Sequence, residues 1–503
     1  MRKNQSAYRL VEAAENSGPI AKSLMDALTE IRRIMANSDD MVMHRIKTPG
    51  GVEVGVVFFE GMVTNLQISD FLMRPLGLIS ARYDTPERVW EHLRGEMLLS
   101  GDVKEARSYD ELLTAAMAGF AAVIVEGRDR ALMMAYQGFA TRGVSEPSAE
   151  NNLRGSREGF SESIIQNISL IRRRLKSTRL TVEPMTVGTL SNTMVKLLYL
   201  RGVATQELVA EVKRRLAQVK INILLDSGYL QPFIAGSRFS LFSGTWVTER
   251  PDTFCAKLGE GRIGVLVDGT PFALIVPYLF AEHFQSLDDY SHRPYFASFI
   301  RIIKFLSFFV TVLLPGCYVA VFSFHPELIP EALLADFIAA ASRTPLPLLA
   351  EAVVVFVLYE LLREAGLRLP RPIGHAMGIV GGIVIGDTAV KAGIIGLPMV
   401  IVIAITAVSS FVVPSLYEPV TVLRLAFILL GGLTGLYGVF LGVCLLTVNL
   451  CSMEVLGIPV TSPITPADLH SFRDLFVRAS WKKLQKDTLI VEDIKGASEK
   501  MQT

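Results

Sequence analysis

Apolar positions recur at helical spacing from Leu24 to Met35, after a polar start, and the run Asn37-Ser38-Asp39-Asp40 breaks the pattern. MVMHRIK and VEVGVVFFE, either side of Pro49-Gly50-Gly51, then predict a hairpin, being rich in β-branched and aromatic residues. Thr64–Met73 and Pro86–Leu93 predict helices, with Thr64 and Thr85 as N-cap candidates. AAVIVEG and RALMMAYQG predict a second hairpin that turns over residues 126–130. Beyond a stretch rich in Ser, Pro, Asn and Glu, Glu158–Leu175 predicts a helix. LTVEPMTVG and MVKLLYLRG follow as strands, Gln206–Gln218 as an amphipathic helix, and IGVLVDGTPFALIVP as a last hairpin turning at Asp268-Gly269.

After Tyr290 the pattern changes. Apolar runs cover 299–324, 346–362, 373–413 and 423–450, and a hydrocarbon layer needs roughly 20 residues per helical pass. The predicted fold class is therefore an α/β soluble N-terminal region of two subdomains, followed by an α-helical polytopic membrane domain with four to five spans. The expected partition is a polar tail over 1–30, a first α/β subdomain over 31–143, a linker over 144–157 and a second α/β subdomain over 158–289. The membrane domain is expected over 290–456 and a C-terminal tail over 457–503. The N-terminus is basic but lacks the apolar core of a secretory signal, so the soluble part is expected to stay in the cytoplasm.

The span count depends on 373–413, where only Asp387 and Lys391 are charged. If both halves cross, five spans leave the basic tail outside. If the glycine-rich half is re-entrant, four spans return it inside, and broken backbone at membrane depth is tolerated where it lines a protein cavity. Arg293, Arg301 and Lys304 at the first span, and Arg363, Arg368 and Arg371 after the second, mark the cytoplasmic side. Glu327, Glu331 and Asp336 between them suit the outer face.

Composition excludes several chemistries. A net charge of +1 over 503 residues provides no basic field for nucleic acid. Of the four cysteines, Cys317, Cys444 and Cys451 lie in or beside apolar segments and Cys255 stands alone, which predicts small buried thiols rather than a metal or redox pair. GEGRIG at 259–264 matches G-x-G-x-x-G by letter, but helix precedes it and strand follows, the reverse of a dinucleotide site. The seven histidines are scattered, and no catalytic, metal or cofactor motif is present.

Charges inside apolar spans are costly, so they mark bundle interiors or water paths. Asp387 and Lys391 stand at i and i+4, with the acid on the favourable N-terminal side. With Glu351 and His375 they are the candidate pore or gating residues, whereas Glu360, beside Arg363 and Glu364, reads as interfacial. Arg172, Arg173 and Arg174 close a helix, where cations are favoured, and are candidates for a subunit or domain contact.

REGFSESIIQNISLIRRRLK, ERPDTFCAKLGEGRIGVLVDGTPFALIVP, the junction DDYSHRPYFASFIRIIKFLSFFVTVLLPGCYVAVFSFHPELIP, and ELLREAGLRLPRPIGHAMGIVGGIVIGDTAVKAGI together resemble the GerA family of spore germination proteins, A-subunit type, from about Ile31 to Pro466. The sequence departs from the family pattern at Ser156, where Pro is usual, and at His375 and Asp387, where Gln is common. The resemblance implies a multi-pass protein of the bacterial spore inner membrane, with its N-terminal domain facing the spore core. It also implies partnership with germinant receptor B and C subunits and a homo-oligomeric ring whose membrane part is an ion channel gated by nutrient. No cofactor and no nucleic acid are implied. The stage V sporulation protein AF shares the architecture and is the alternative within the family. A transporter should show inverted repeats around a midplane site, and four or five unequal spans do not divide into halves.

Overall fold

The structure, a computed structural model, describes residues 18–96, 102–138, 147, 150, 155–235, 240–331, 334–335, 338–339, 344–369, 386, 388–467, 471–484 and 490–491. The predicted elements of the first unit form. They are α1 (Leu24–Ile34), β1 (Met41–Lys47), β2 (Glu53–Phe59), a helical run α2 over 65–78 with a π-helical middle turn, α3 (Pro86–Glu91), β4 (Phe120–Val125) and β5 (Ala131–Ala135). Thr85 caps α3, its hydroxyl accepting from Arg88 N, while the Thr64 hydroxyl makes no cap bond. Two elements join them that the pattern did not reveal: β3 (Val103–Ala106), a four-residue edge strand, and α4 (Tyr109–Ala116). The strands run antiparallel in the order β1-β2-β4-β5-β3.

Both faces of this sheet are covered. Val57, Phe59, Ile124 and Met133 pack under α1 and α4, and Val56, Phe58, Val123 and Leu132 pack under α2 and α3. Double coverage explains why β2, β4 and β5 read as continuous apolar runs instead of alternating ones. The stretch 1–30 is not all polar tail: Ile20 is a core residue, and so are Leu24, Ala27 and Leu28, which α1 presents as one stripe to the sheet.

The second unit contains α5 (Ile164–Arg174), β6 (Leu180–Val187), β7 (Thr193–Leu200), α6 (Gln206–Ala217), β8 (Trp246–Thr248), α7 (Pro251–Gly259), β9 (Ile263–Val267) and β10 (Ala273–Val276). Its antiparallel order is β6-β7-β9-β10-β8, so the soluble part repeats one strand topology twice. GEGRIG lies at the end of α7 and the start of β9, the reversed context expected of a decoy. One face of the sheet packs on α5 and α7. The other packs on α6, and its core continues without a break into the membrane-type helices through Phe280, Phe284, Phe308 and Phe427.

Those helices are α8 (Pro294–Phe324), α9 (Leu348–Arg368), α10 (Leu397–Ser410) and α11 (Tyr417–Ser452). Among the described residues, two helical stretches are long and apolar enough to cross a membrane, Pro294–Phe324 and Pro414–Ser452. The second is not one rod. Gly435 has φ 67 and ψ −154, outside helical geometry. Beyond it, a Cβ on Gly442 would meet Leu430 and Phe427 at 2.8 Å, although a straight helix would place those residues about 18 and 22 Å away. The chain therefore folds back on itself, and the run 423–450, expected as one span, lies in two antiparallel legs, 417–435 and 435–452, of about 26 Å each.

Directions follow from contacts. Ser415 at the start of α11 and Met453 just after its end both touch the second soluble unit, at His283 and Ser240. We call this end of the bundle the base. Gly435, at the fold, lies against Phe324 and His325, at the far end of α8. Gly432 meets Leu349 and Gly396 meets Glu351, so α9 and α10 both start at the far end and run toward the base. Against the expected four or five spans, the described residues hold two helices long and apolar enough to cross a membrane, and 370–385 and 387, most of the stretch on which the count depends, lie outside the described residues.

The segment after α11 comes back to the soluble part. β11 (Glu454–Val455) and β12 (Ile458–Pro459) form a small hairpin, and Val455, Leu456 and Val460 enter the core shared by the second unit and the bundle. Val491 packs with Leu279 and Ile458, and its N–H donates to Glu260 O at 2.8 Å. The described residues of 457–503 are thus strapped to the fold instead of trailing from it. Cysteine placement also differs from expectation: Cys255 is buried, but Cys444 and Cys451 are exposed, since they lie on the outward side of the returning leg.

Candidate functional site: buried charge at the base and inside the bundle

Two ionic clusters lie near the base, the first within the second soluble unit and the second between that unit, the tail and the bundle. In the first, Glu282 lies between Lys257 and Arg262, accepting from each at 2.6 Å, while its second oxygen accepts from Leu279 N at 2.9 Å. Arg262 is fully buried, and it also donates to Pro277 O. Burial alone would raise the Glu282 carboxyl, and the two cations outweigh it, so its pKa lies below the ordinary value. In the second, Arg301 near the start of α8 donates to Asp289 and to Asp474, both at 2.8 Å. Tyr290 donates to Asp474 at 2.6 Å, and Arg478 donates to Tyr290 O at 3.2 Å. The tail and the entry to the first long helix are therefore at one level.

Inside the bundle, Glu351 is buried and accepts from Gly396 N at 2.8 Å, which ties the far ends of α9 and α10. Nearer the base, Arg424 is buried on the first leg of α11. Its Nε donates to Thr311 O at 3.3 Å and its Nη1 reaches Glu360 at 3.5 Å. Glu360 also accepts from Tyr417. Glu360 is thus the partner of a buried arginine, a role beyond interfacial placement. Arg424 escaped the sequence reading because it stands one residue inside an apolar run, and the available signal was a lone Arg there with an unassigned Glu in a preceding helix.

The other predicted residues divide. Asp387 and His375 lie outside the described residues. Lys391 ends the short turn Ala389–Lys391 with its side chain at the surface. Arg172 is fully buried and grips Asp40 of the first unit, donating from Nε to Oδ2 and from Nη2 to Oδ1, each at 2.9 Å. Ser38 donates to Asp40 at 2.6 Å and accepts from Val182 N at 3.0 Å, and Asp39 N donates to Val182 O at 2.9 Å. Arg173 and Arg174 turn instead to Glu158, at 3.4 and 2.6 Å. The run Ser38-Asp39-Asp40, which ends α1 in the sequence pattern, also forms the joint between the two units.

Two partly buried groups, one in the second unit and one in the linker packed against it, titrate in opposite senses. His283, with Ser415 at 3.1 Å and Trp246 and Tyr278 around its ring, is pushed by burial from 6.5 down to about 4. Burial pushes Glu150 from 4.5 up to about 7, against the hydroxyl of Thr248 and the charge of Arg250. As pH falls from 6.5 to 4 the unfolded chain protonates His283 while the fold does not, so this group removes stability. As pH rises from 4.5 to 7 the unfolded chain releases a proton that folded Glu150 keeps, so that group removes stability in the other direction. Each is worth up to about 3 kcal/mol at full effect, and they offset each other over the shared window. His283→Gln should therefore raise the unfolding temperature at pH 5 relative to pH 7, compared with the parent, and Glu150→Gln should lower it. Parallel pH profiles in all three proteins would refute this assignment.

Comparison with known proteins places this architecture. The family described as Bacillus/Clostridium GerA spore germination protein matches residues 29–489. Spore germination protein KA of Bacillus subtilis (strain 168) is 38% identical over 466 residues, covering 92% of this chain and 85% of that one. The membrane protein YfkQ of the same organism is 34% identical over 486 residues, covering 96% and 94%. The crystal structure of the N-terminal domain of the A subunit of the Bacillus megaterium spore germinant receptor GerK3 shares 31% identity and a TM-score of 0.43, over 53% of this chain and 98% of that domain. The chain belongs to the GerA family of spore germination proteins.

Proposed function

We propose that this chain is the A subunit of a nutrient receptor in the spore inner membrane, working with B and C subunits and forming a ring with further copies of itself. In this reading the ring conducts ions once nutrient is sensed, and that release starts germination. The observation that carries it is the pairing of buried charge inside an apolar bundle, at Glu351 and at Arg424 with Glu360, with the buried ion pair Arg301–Asp289 that fastens the same bundle to the second soluble unit. Intramembrane charges of this kind face a bundle interior or a water path.

The basic groups Arg293, Arg301, Lys304 and Arg478 gather at the base, and by the positive-inside rule this supports a soluble part that faces the spore core. An even number of crossings returns the tail to that side. Glu351, Lys391, Asp387 and His375 are the pore or gating candidates. Deleting the gene should abolish ion release and germination for one nutrient class while leaving others intact. Unchanged responses to every nutrient would refute the receptor reading.

Arg172, Arg173 and Arg174 serve as a domain contact in this reading, with Arg172 at its centre. Asp40→Asn keeps the shape but removes the charge, and the unfolding free energy should fall by about 2 kcal/mol. Hydrogen exchange at the Asp39 and Val182 amides should quicken. Parent-like exchange at both would show that the pair does not hold the joint.

A further inference from the structure

The cluster around Arg424 has more donors than acceptors. Its Nη2 is buried without a hydrogen-bond partner, and so are Nε of Arg363 and the hydroxyl of Tyr359, both on α9. Arg424 lies 5.8 Å from the Tyr359 ring, and Arg363 lies over the ring of Tyr417, which bonds Glu360. Two guanidinium groups thus share one carboxylate, whose oxygens already meet Tyr417 and Arg424. The cluster carries one positive charge in excess. An uncompensated guanidinium among apolar helices is costly, and water supplies acceptors without supplying the charge.

From these orphaned donors we propose that Arg424, Arg363 and Tyr359 form a binding site for a phosphate-type anion, held by the free guanidinium edges and the phenol. Guanidinium forks match phosphate oxygens in geometry and charge. The side chain of Arg424 is sealed, whereas those of Arg363 and Glu360 are 17% and 19% exposed, so the site opens on the α9 side. It lies toward the base, the level of lipid headgroups if the bundle spans a membrane, so the lipid source rests on that reading. A soluble phosphate would reach the same atoms from the base.

The test uses the full chain, purified in a zwitterionic detergent. Native mass spectrometry compares retention of phosphatidylglycerol with phosphatidylcholine, and thermal unfolding is followed with and without millimolar inorganic phosphate. Preferred retention of phosphatidylglycerol, reduced about tenfold in Arg363→Gln and in Tyr359→Phe, is the expected result for the loss of one charge-assisted hydrogen bond. Stabilisation by inorganic phosphate, absent in the same two variants and without lipid preference, would support the site with a soluble ligand. Arg424→Gln should remove either response. Should that variant fail to fold, the two partly exposed positions still decide. Equal retention of both lipids and no effect of phosphate on the parent, or responses unchanged in the variants, would overturn the proposal.

Discussion

Glu282→Ala should cost the protein about 3 to 5 kcal/mol, the range for breaking a buried ion pair from one side, because it leaves Lys257 and Arg262 to share only the partly exposed Glu260. Arg262 has no exposed side-chain surface, so it cannot rotate into water, and Leu279 N loses its acceptor as well. Marginal domains have only 5 to 15 kcal/mol in total. We therefore expect little full-length protein in membranes and a sharply lowered unfolding temperature in what remains. Glu282→Gln should fall between the two, since the amide oxygen can still accept from Leu279 N. A parent-like unfolding temperature for the alanine variant would mean that this cluster does not hold the second unit together.

Gly435→Val should be nearly as severe, for a geometric reason. Its φ and ψ, 67 and −154, lie in a region that is essentially restricted to glycine, and a side chain there costs of order 1–3 kcal/mol in strain alone. The added Cβ would stand 3.1 Å from Phe324 Cβ and 3.3 Å from His325 Nε2, and valine's further methyls have nowhere to go. If the helix straightened instead, its last 17 residues would point away from the base over about 26 Å. Val455, which packs so closely on Gly244 that no Cβ fits between them, would be pulled from its place. Gly435→Ala should show the strain with less clash. Native Cys451, exposed near the end of the returning leg, should be labelled from the base side in the parent and not in any Gly435→Val protein that survives. Unchanged labelling would refute the hairpin.

Single-residue signals were legible where local physics acts alone. Thr85 caps its helix and Asp268-Gly269 turns its hairpin, because caps and tight turns are decided within a few residues. The strands β2, β4 and β5 were legible for the same reason. The edge strand β3 was not, since Val103–Ala106 carries too little apolar content to separate it from a loop. The twofold use of one sheet topology was also hidden. Strand order is set by pairing between distant segments, although the central hairpins share local sequence, VIVEG and ALMM in the first unit and VLVDG and ALIV in the second.

For the site the division is similar. Glu351 drew notice as a charge in an apolar run, and Arg172 as part of a basic cluster, but neither partner was visible. Asp40 is 132 residues from Arg172 and Gly396 is 45 from Glu351. Glu360 looked interfacial because Arg363 and Glu364 stand beside it in the chain, and its true neighbours Arg424 and Tyr417 come from another helix.

By itself, then, the sequence determined the division into a soluble α/β part and an apolar helical part, the family, and most element positions. These follow from periodicity and from motifs that are contiguous in the chain. Only the tertiary structure decided that α11 folds in two at Gly435, that the tail is locked to the start of α8, and which charges share a buried cluster. A glycine's backbone angles, a helix's direction and an ion pair across a hundred residues are fixed by packing, and packing is a property of surfaces that the linear pattern does not bring together.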